Sequence, residues 1–191
     1  MSPYEHEARR DELRRLQEQA SSVGEALAFF DTLPPVRVEE MPGLWKGSGL
    51  ETGHPWDGML EEFGWYGKRF DDAERAHPLV FGNDKGLFCV NPSLVPLGLL
   101  RRTSNLLRTP PLADTARCSL RLLRTSRPAA RLRMVEYRGT VSAAMTYDAL
   151  PINDHFRKVD ADTLIGVMDM RGDSAPFFFV LRRDRPIAAK P

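Results

Sequence analysis

Residues 42–70 read PGLWKGSGLETGHPWDGMLEEFGWYGKRF and contain all three tryptophans of the chain. The segment opens with a Gly-x-Trp-x-Gly pattern centred on Trp45, and Gly43, Trp45 and Gly47 would share one face of a strand because successive side chains alternate. Glycine inside a strand usually marks a bend or the close approach of another backbone. We therefore predict a sharply curved first strand whose tryptophan plugs one end of a closed sheet. The alternative is a core tryptophan beside flexible glycines.

Short apolar segments separated by glycine-containing turns continue to about residue 183. The GNDKG sequence of residues 82–86 is typical of a hairpin, and residues 140–147 alternate regularly. Residues 59–65 and 112–126 are also expected to be extended. Since no long helices alternate with these segments, we predict a mainly β protein with roughly eight to ten strands, folded as an antiparallel, lipocalin-like (calycin-like) β-barrel with short N-terminal helices.

The N-terminal region is predicted to be helical. Residues 4–20 favour a helix but offer little apolar surface beyond Leu13 and Leu16, so this helix is expected to be frayed or used for partner contact. Ser22 and Glu25 then form a capping-box pattern ahead of a short amphipathic helix. The predicted organisation is a helical segment at residues 1–35 and a single barrel domain at residues 36–185, with parts at 36–95 and 110–185.

The composition is that of an ordinary globular protein. The chain has 191 residues, of which 42% are hydrophobic and 28% charged, and this length suits one domain. Its N-terminus lacks the apolar core of a signal peptide, and no apolar run is long enough to span a membrane. We therefore expect a cytoplasmic location, where Cys89 and Cys118 would be buried free thiols.

The arginines are unevenly distributed. Residues 101–138 contain ten arginines and only two acidic residues, although the net charge of the chain is +1. Arg101, Arg102 and Arg108 lie next to a leucine-rich stretch, a combination that suits docking at an anionic membrane surface. The stretch has no aromatic residue for base stacking, so no nucleic-acid partner is predicted. The alternative is a pair of ordinary strands with solvated arginines.

Two groups of motifs resemble a known bacterial family. PGLWKGSGLETGHPWDG, followed by GWYGKRF, resembles the GXWXG domain, and YDALPINDHFRKVD, followed by GVMD, resembles the uncharacterised domain that usually follows it. Together the resemblances span roughly residues 21–185, and they imply no settled activity. More loosely, the first motif is similar to lipocalins and to the nitrobindin haem barrels. The latter likeness implies an alternative haem site with His77 or His155 as the ligand.

Several charged residues lie in apolar surroundings. Asp148, Asp154, Asp160 and Asp169 are interspersed with apolar side chains, and Asp169 continues an alternation that we expect to face the barrel interior. A buried carboxylate needs a cation or hydrogen-bond donors, or else its pKa rises. Such carboxylates would either anchor a ligand or form an internal salt bridge.

The function predicted from these features is non-catalytic binding of a lipophilic small molecule, fatty-acid or phospholipid-like, inside the barrel. Lys68, Arg69 and Arg157 would pair with its head group. The predicted ligand-binding residues are Trp45, Trp65, Lys68, Arg69, Phe70, Met145, Tyr147, Asp148, Asp154, Phe156, Arg157 and Asp169. The same apolar side chains could instead simply fill the barrel.

The enzymatic alternative is acid–base chemistry on an apolar substrate, an isomerisation or a hydrolysis. Its candidate residues are Tyr147, Asp148, Asp154 and Asp169. No nucleophile–base motif, metal-ligand spacing or nucleotide fingerprint is present, so no cofactor or metal is predicted.

Overall fold

The computed structural model describes residues 3–19, 21–83, 86–95 and 119–185. The helices are α1 (Pro3–Glu18), α2 (Val23–Thr32) and α3 (Met59–Glu62), with short 3-10 helices at Val38–Glu40, Pro92–Leu94 and Arg121–Leu123. The strands are β1 (Gly43–Gly49), β2 (Trp65–Phe70), β3 (Ala76–Asn83), β4 (Gly86–Val90), β5 (Arg124–Thr125), β6 (Ala130–Tyr137), β7 (Thr140–Tyr147), β8 (Ile152–Asp160), β9 (Thr163–Met170) and β10 (Phe177–Arg183).

Eight of the strands close into a ring. Their order is β2-β1-β10-β9-β8-β7-β6-β3, and the pairing of β3 with β2 completes the circuit. All the pairings are antiparallel. Strands β4 and β5 extend the sheet beyond the ring from the second half of β3. The prediction of a mainly β, antiparallel and barrel-like fold is confirmed.

Alternation along the strands separates two apolar clusters. The inner cluster lies inside the ring and includes Trp45, Phe70, Met145, Tyr147 and Phe156. The outer cluster lies between the helices and the outer faces of β8, β9 and β10. Strands of the ring that are covered by helices therefore bury both of their faces, as the almost continuous burial of β8 illustrates.

The helices cover one side of the ring. Leu13 and Leu16 of α1 are both fully buried in the outer cluster, so the expectation that this helix is frayed is wrong. Two apolar residues one turn apart are enough to hold this helix in place, because they pack against the apolar outer face of β8, β9 and β10. The capping box of Ser22 and Glu25 is confirmed at the start of α2.

Glycines in β1 and β2 allow the strands to approach closely. A Cβ atom on Gly47 would lie 2.2 Å from the indole ring of Trp65, so this glycine leaves room for the tryptophan. Gly67 has a φ of 150°, and a Cβ atom there would lie 1.9 Å from the carbonyl oxygen of Trp45. The close approach of other groups that glycine within a strand predicts thus has a steric basis at these two positions.

Some strand predictions are wrong. Residues 59–62 form α3, because Gly58 adopts a left-handed conformation with φ of 73° that starts a helical turn. Of the predicted strand at residues 112–126, the described portion contains a 3-10 turn and only the two residues of β5. Arg101, Arg102, Arg108 and Cys118 lie outside the described residues. No helix in the described ranges is long and apolar enough to cross a bilayer.

Replacing Gly47 by alanine should destabilise the protein by about 1–3 kcal/mol, since the new methyl group would push the Trp65 ring out of its packed position. Urea unfolding followed by circular dichroism measures the effect. Gly24→Ala in α2 is the matched control, because the nearest heavy atom to its new Cβ would be 3.9 Å away. That change should stabilise the helix by up to about 1 kcal/mol. Equal effects of the two variants would contradict the steric explanation.

Candidate functional site

A buried ion pair crosses the interior of the ring. Lys68 Nζ lies 2.8 Å from Asp154 Oδ2, and both side chains are almost completely buried. Lys68 belongs to β2 and Asp154 to β8, which are four strands apart in either direction around the eight-stranded ring. The two residues therefore come from opposite walls and meet in the middle.

The ammonium group of Lys68 is fully surrounded. Besides Asp154, it donates to the carbonyl oxygen of Pro78 at 3.3 Å. The ring centroid of Phe179 lies 4.7 Å from Nζ, a distance at which a cation interacts favourably with an aromatic face. The rings of Trp65 and Tyr147 follow at 5.8 and 6.0 Å. Three close contacts thus match the three N–H groups of the lysine.

Asp154 is the acceptor at the centre of the cluster. Its Oδ2 atom accepts from Lys68 and, at 3.3 Å, from the hydroxyl of Tyr147. Burial raises the pKa of Asp154, while the charge of Lys68 and the two hydrogen bonds oppose the rise. Burial beside this carboxylate also raises the pKa of Tyr147 well above its usual value. A neutral Asp154 would leave Lys68 as an unbalanced charge among aromatic rings, so the close contact is that of a charged pair.

Three polar atoms of the interior lack a hydrogen-bond partner among the described residues. They are Asp154 Oδ1, Trp65 Nε1 and Trp56 Nε1, all buried. Leaving such atoms without a partner costs about 1–3 kcal/mol each, and more for a charged group. Natural proteins seldom retain that cost without a reason. Asp154 Oδ1 belongs to the ion pair, and the ring of Trp65 lies 5.8 Å from the same ammonium group.

The walls around this cluster are apolar and largely aromatic. The buried members of the inner cluster include Trp45, Trp65, Phe70, Met145, Tyr147, Phe156, Met168, Phe177 and Phe179. Edge-to-face contacts join Phe156 to Phe70 and to Phe179, at 5.9 and 6.2 Å between ring centroids. The predicted residues Trp45, Trp65, Phe70, Met145 and Phe156 therefore do lie together inside the ring.

Two predicted cations lie elsewhere. Arg69 is on the outer face, where it pairs with Asp71 at 3.0 Å and contacts His77 Nε2 at 2.9 Å. Arg157 is buried on the helix side, donates to the carbonyl oxygen of Tyr137 at 3.0 Å and lies over the ring of Phe30. Successive side chains of a strand point to opposite faces. Arg69 follows the inward-facing Lys68, and Arg157 follows the inward-facing Phe156, so both arginines point outward.

Two predicted carboxylates are also outside the interior. Asp169 is exposed, and the expectation that it faces inward is wrong. It does follow Ile165 and Val167, but those residues pack in the outer cluster under the helices. Asp148 is exposed as well and lies 3.4 Å from Arg131. Of the three carboxylates predicted to bind a ligand, only Asp154 enters the site.

The histidines proposed for haem ligation do not face the inner cluster. His155 is stacked on Tyr137 with 4.0 Å between ring centroids, and burial lowers its pKa to about 4. His77 contacts Arg69 and Asp71 on the outer face. Among the described residues, the interior site is built from lysine, aspartate and tyrosine.

Several contributors to the site, among them Phe179, are not among the predicted ligand-binding residues. Trp56 follows Pro55 in the sequence, and its ring packs inside, 6.4 Å from Phe177. Pro78 contributes through its carbonyl oxygen, for which side-chain patterns carry no signal. Gly166 has a supporting role, because a Cβ atom there would lie 2.2 Å from the ring of Phe179. The alternation of Phe177 and Phe179 was the available signal for this wall.

Replacing Lys68 by methionine should lower the free energy of unfolding by about 3–5 kcal/mol at pH 7, because Asp154 would remain buried without its cation. In this variant Asp154 takes up a proton on folding, so its pKa is higher in the folded than in the unfolded chain. The penalty is therefore greatest above the folded pKa and shrinks as the pH falls toward the unfolded value of about 3.9. Urea unfolding at pH 7 and pH 5 gives the difference in unfolding free energy between variant and parent. His155 is present in both proteins, so its titration does not contribute to this difference.

Two controls accompany this prediction. Lys46→Met removes an exposed lysine from the neighbouring strand and should change stability by no more than about 0.5 kcal/mol. The double variant Lys68→Met with Asp154→Asn should recover much of the loss, since no unpaired charge remains. A pH-independent loss in Lys68→Met would contradict the ion-pair account.

Comparison with known proteins places the chain in a family. Residues 28–86 match the family described as GXWXG protein, and residues 128–183 match the domain of unknown function DUF4334. No curated protein matches the chain.

A protein from Thermomonospora curvata, known from a crystal structure, is similar over nearly the whole length. Its sequence is 31% identical, the alignment covers 92% of this chain and 99% of that one, and the TM-score is 0.66. The resemblance read from the motifs is confirmed on both halves. The chain belongs to the family of proteins in which a GXWXG domain is followed by the DUF4334 domain.

Proposed function

We propose that the protein binds a lipophilic small molecule inside the ring of strands, without chemical conversion. The observation that carries the proposal is the polar cluster of Lys68, Asp154 and Tyr147 within an aromatic inner wall. Ligand sites are typically apolar with a few convergent polar groups that fix orientation. A barrel used only as packed core gains nothing from a charged pair at its centre, because apolar side chains of similar volume are often as stable or more so.

The unpartnered atoms support the same proposal. Asp154 Oδ1 is an unpartnered acceptor on the ion pair itself, and the Trp65 ring, whose Nε1 is also unpartnered, lies 5.8 Å from Lys68 Nζ. A ligand with one polar end would donate to Asp154 Oδ1 while its apolar part packs against rings such as Phe70 and Phe156. Met145 and Met168 add flexible side chains that adapt to irregular apolar shapes.

The intrinsic tryptophans provide a direct test. All three belong to the inner cluster, so a brominated ligand that enters the ring should quench their fluorescence. We expect 1-bromododecane to quench saturably at about one equivalent, and dodecane to compete and restore the emission. Native mass spectrometry and organic extraction of the purified protein should show whether a lipid co-purifies in stoichiometric amount.

A pair of matched variants locates the ligand. Met145→Ala, in the inner cluster, should weaken the binding of 1-bromododecane by about three- to tenfold through lost contacts. Val167→Ala truncates an apolar side chain of the outer cluster and should leave binding unchanged. Quenching that never saturates, or that depends on Val167 rather than Met145, would overturn the proposal.

Acid–base catalysis is a second candidate, favoured by the contact between Tyr147 and Asp154. Both groups are buried, both pKa values are raised, and Asp154 Oδ1 is free of described partners. A carboxylate with a raised pKa suits proton abstraction from an apolar substrate. If a substrate screen finds turnover, Asp154→Asn should abolish it while the exposed Asp169→Asn keeps it. Ligand binding without turnover favours the carrier.

A further inference from the structure

The charges of the interior restrict what the polar end of a ligand can be. Lys68 is the basic residue of the described inner site, and Asp154 already neutralises it at 2.8 Å. Arg69 and Arg157, the other cations expected to bind a head group, face outward. A carboxylate or phosphate entering the ring would therefore meet a neutral pair and would lose its hydration without gaining a free cation.

The hydrogen-bonding groups give a second restriction. The ammonium of Lys68 uses its three N–H groups on Asp154, on the carbonyl of Pro78 and on the face of Phe179. Within the ion pair, the atom left without a described partner is Asp154 Oδ1, which as a carboxylate oxygen can only accept. The complementary group on a ligand must carry a hydrogen-bond donor.

The group must also remain uncharged. A protonated amine would donate to Asp154, but it would bring a second positive charge into the aromatic shell around Lys68. A hydroxyl group avoids that cost, because it donates to Asp154 Oδ1 without bringing a charge into the ring. Hydrogen bonds to charged groups are the stronger class, at about 1.5–3 kcal/mol.

We propose that the interior selects a neutral lipophilic alcohol, whose hydroxyl donates to Asp154 Oδ1, over the corresponding carboxylate. This inference rests on the proposed binding function and revises the fatty-acid or phospholipid-like ligand expected from the sequence. The Lys68–Asp154 ion pair links opposite walls of the ring and binds the hydroxyl group, and the aliphatic part of the ligand lies along the aromatic side chains.

A chain-matched ligand series tests the proposal on the unmodified protein. Dissociation constants are measured at pH 7 for dodecan-1-ol, dodecanoate, dodecylamine, 1-methoxydodecane and dodecane, by competition with 1-bromododecane. We expect dodecan-1-ol to bind at least tenfold more tightly than each of the others. The methyl ether retains the acceptor but lacks the donor, so its weak binding would identify the hydroxyl proton as the recognised feature.

One substitution should reverse the selectivity. Asp154→Asn removes the negative charge at nearly constant shape and leaves Lys68 unbalanced, so dodecanoate should gain at least tenfold while dodecan-1-ol loses its advantage. Asp169→Asn is the same chemical change at an exposed position on the outer face and should leave the ranking unchanged.

The outcomes separate the two proposals. If dodecane and dodecan-1-ol both fail to compete, interior binding itself is wrong and the alcohol inference falls with it. If the ligands bind but dodecanoate is preferred, or the ether equals the alcohol, only the inference is overturned. The ranking on the parent protein decides the matter even if Asp154→Asn does not fold.

Discussion

Closure of the ring is the constraint on which the rest of the structure depends. Once β2 pairs with both β1 and β3, each strand of the ring has one face turned inward and one turned outward. The inward faces enclose the aromatic cluster, and the outward faces of β8, β9 and β10 require cover from α1 and α2. Gly47 and Gly67 permit this closure because they lack a Cβ atom. A Cβ on Gly47 would clash with the Trp65 ring, and one on Gly67 would clash with the backbone of β1.

The ion pair follows from closure rather than from local sequence. Lys68 and Asp154 are far apart in the chain and on opposite walls, and they can meet only when the circuit is complete. A buried pair of this kind costs desolvation energy, and its attraction repays that cost only if further hydrogen bonds complete it. Tyr147 and the carbonyl of Pro78 supply two such bonds, whereas Asp154 Oδ1 has no hydrogen-bond partner among the described residues. The same carboxylate therefore bears on the stability of the fold and on the proposed binding.

The sequence predicted the class of fold because the alternation of short apolar segments and the two family motifs are local signals. It also placed Lys68, Tyr147 and Asp154 among the site residues. It could not decide which face of a strand is inside, so Arg157 and Asp169 were grouped with residues of the opposite face. Both faces of β8 and β9 are buried. Apolar residues at alternate positions therefore do not show whether a face packs against the helices or lines the interior. The short helix α3 was read as extended because its apolar residues do not reveal the left-handed turn at Gly58.

The ring is assembled from two arcs that correspond to the two matched families. The first contributes β1, β2 and β3, the second contributes β6 to β10, and the seams are the pairings of β1 with β10 and of β3 with β6. Either arc alone would expose two strand edges, which are templates for association with other chains. Each arc also contributes one residue of the ion pair: Lys68 comes from the first arc and Asp154 from the second. The boundary between the two matched domains is therefore a boundary in sequence only, and the ion pair on which the proposed binding rests can form only when both domains are present.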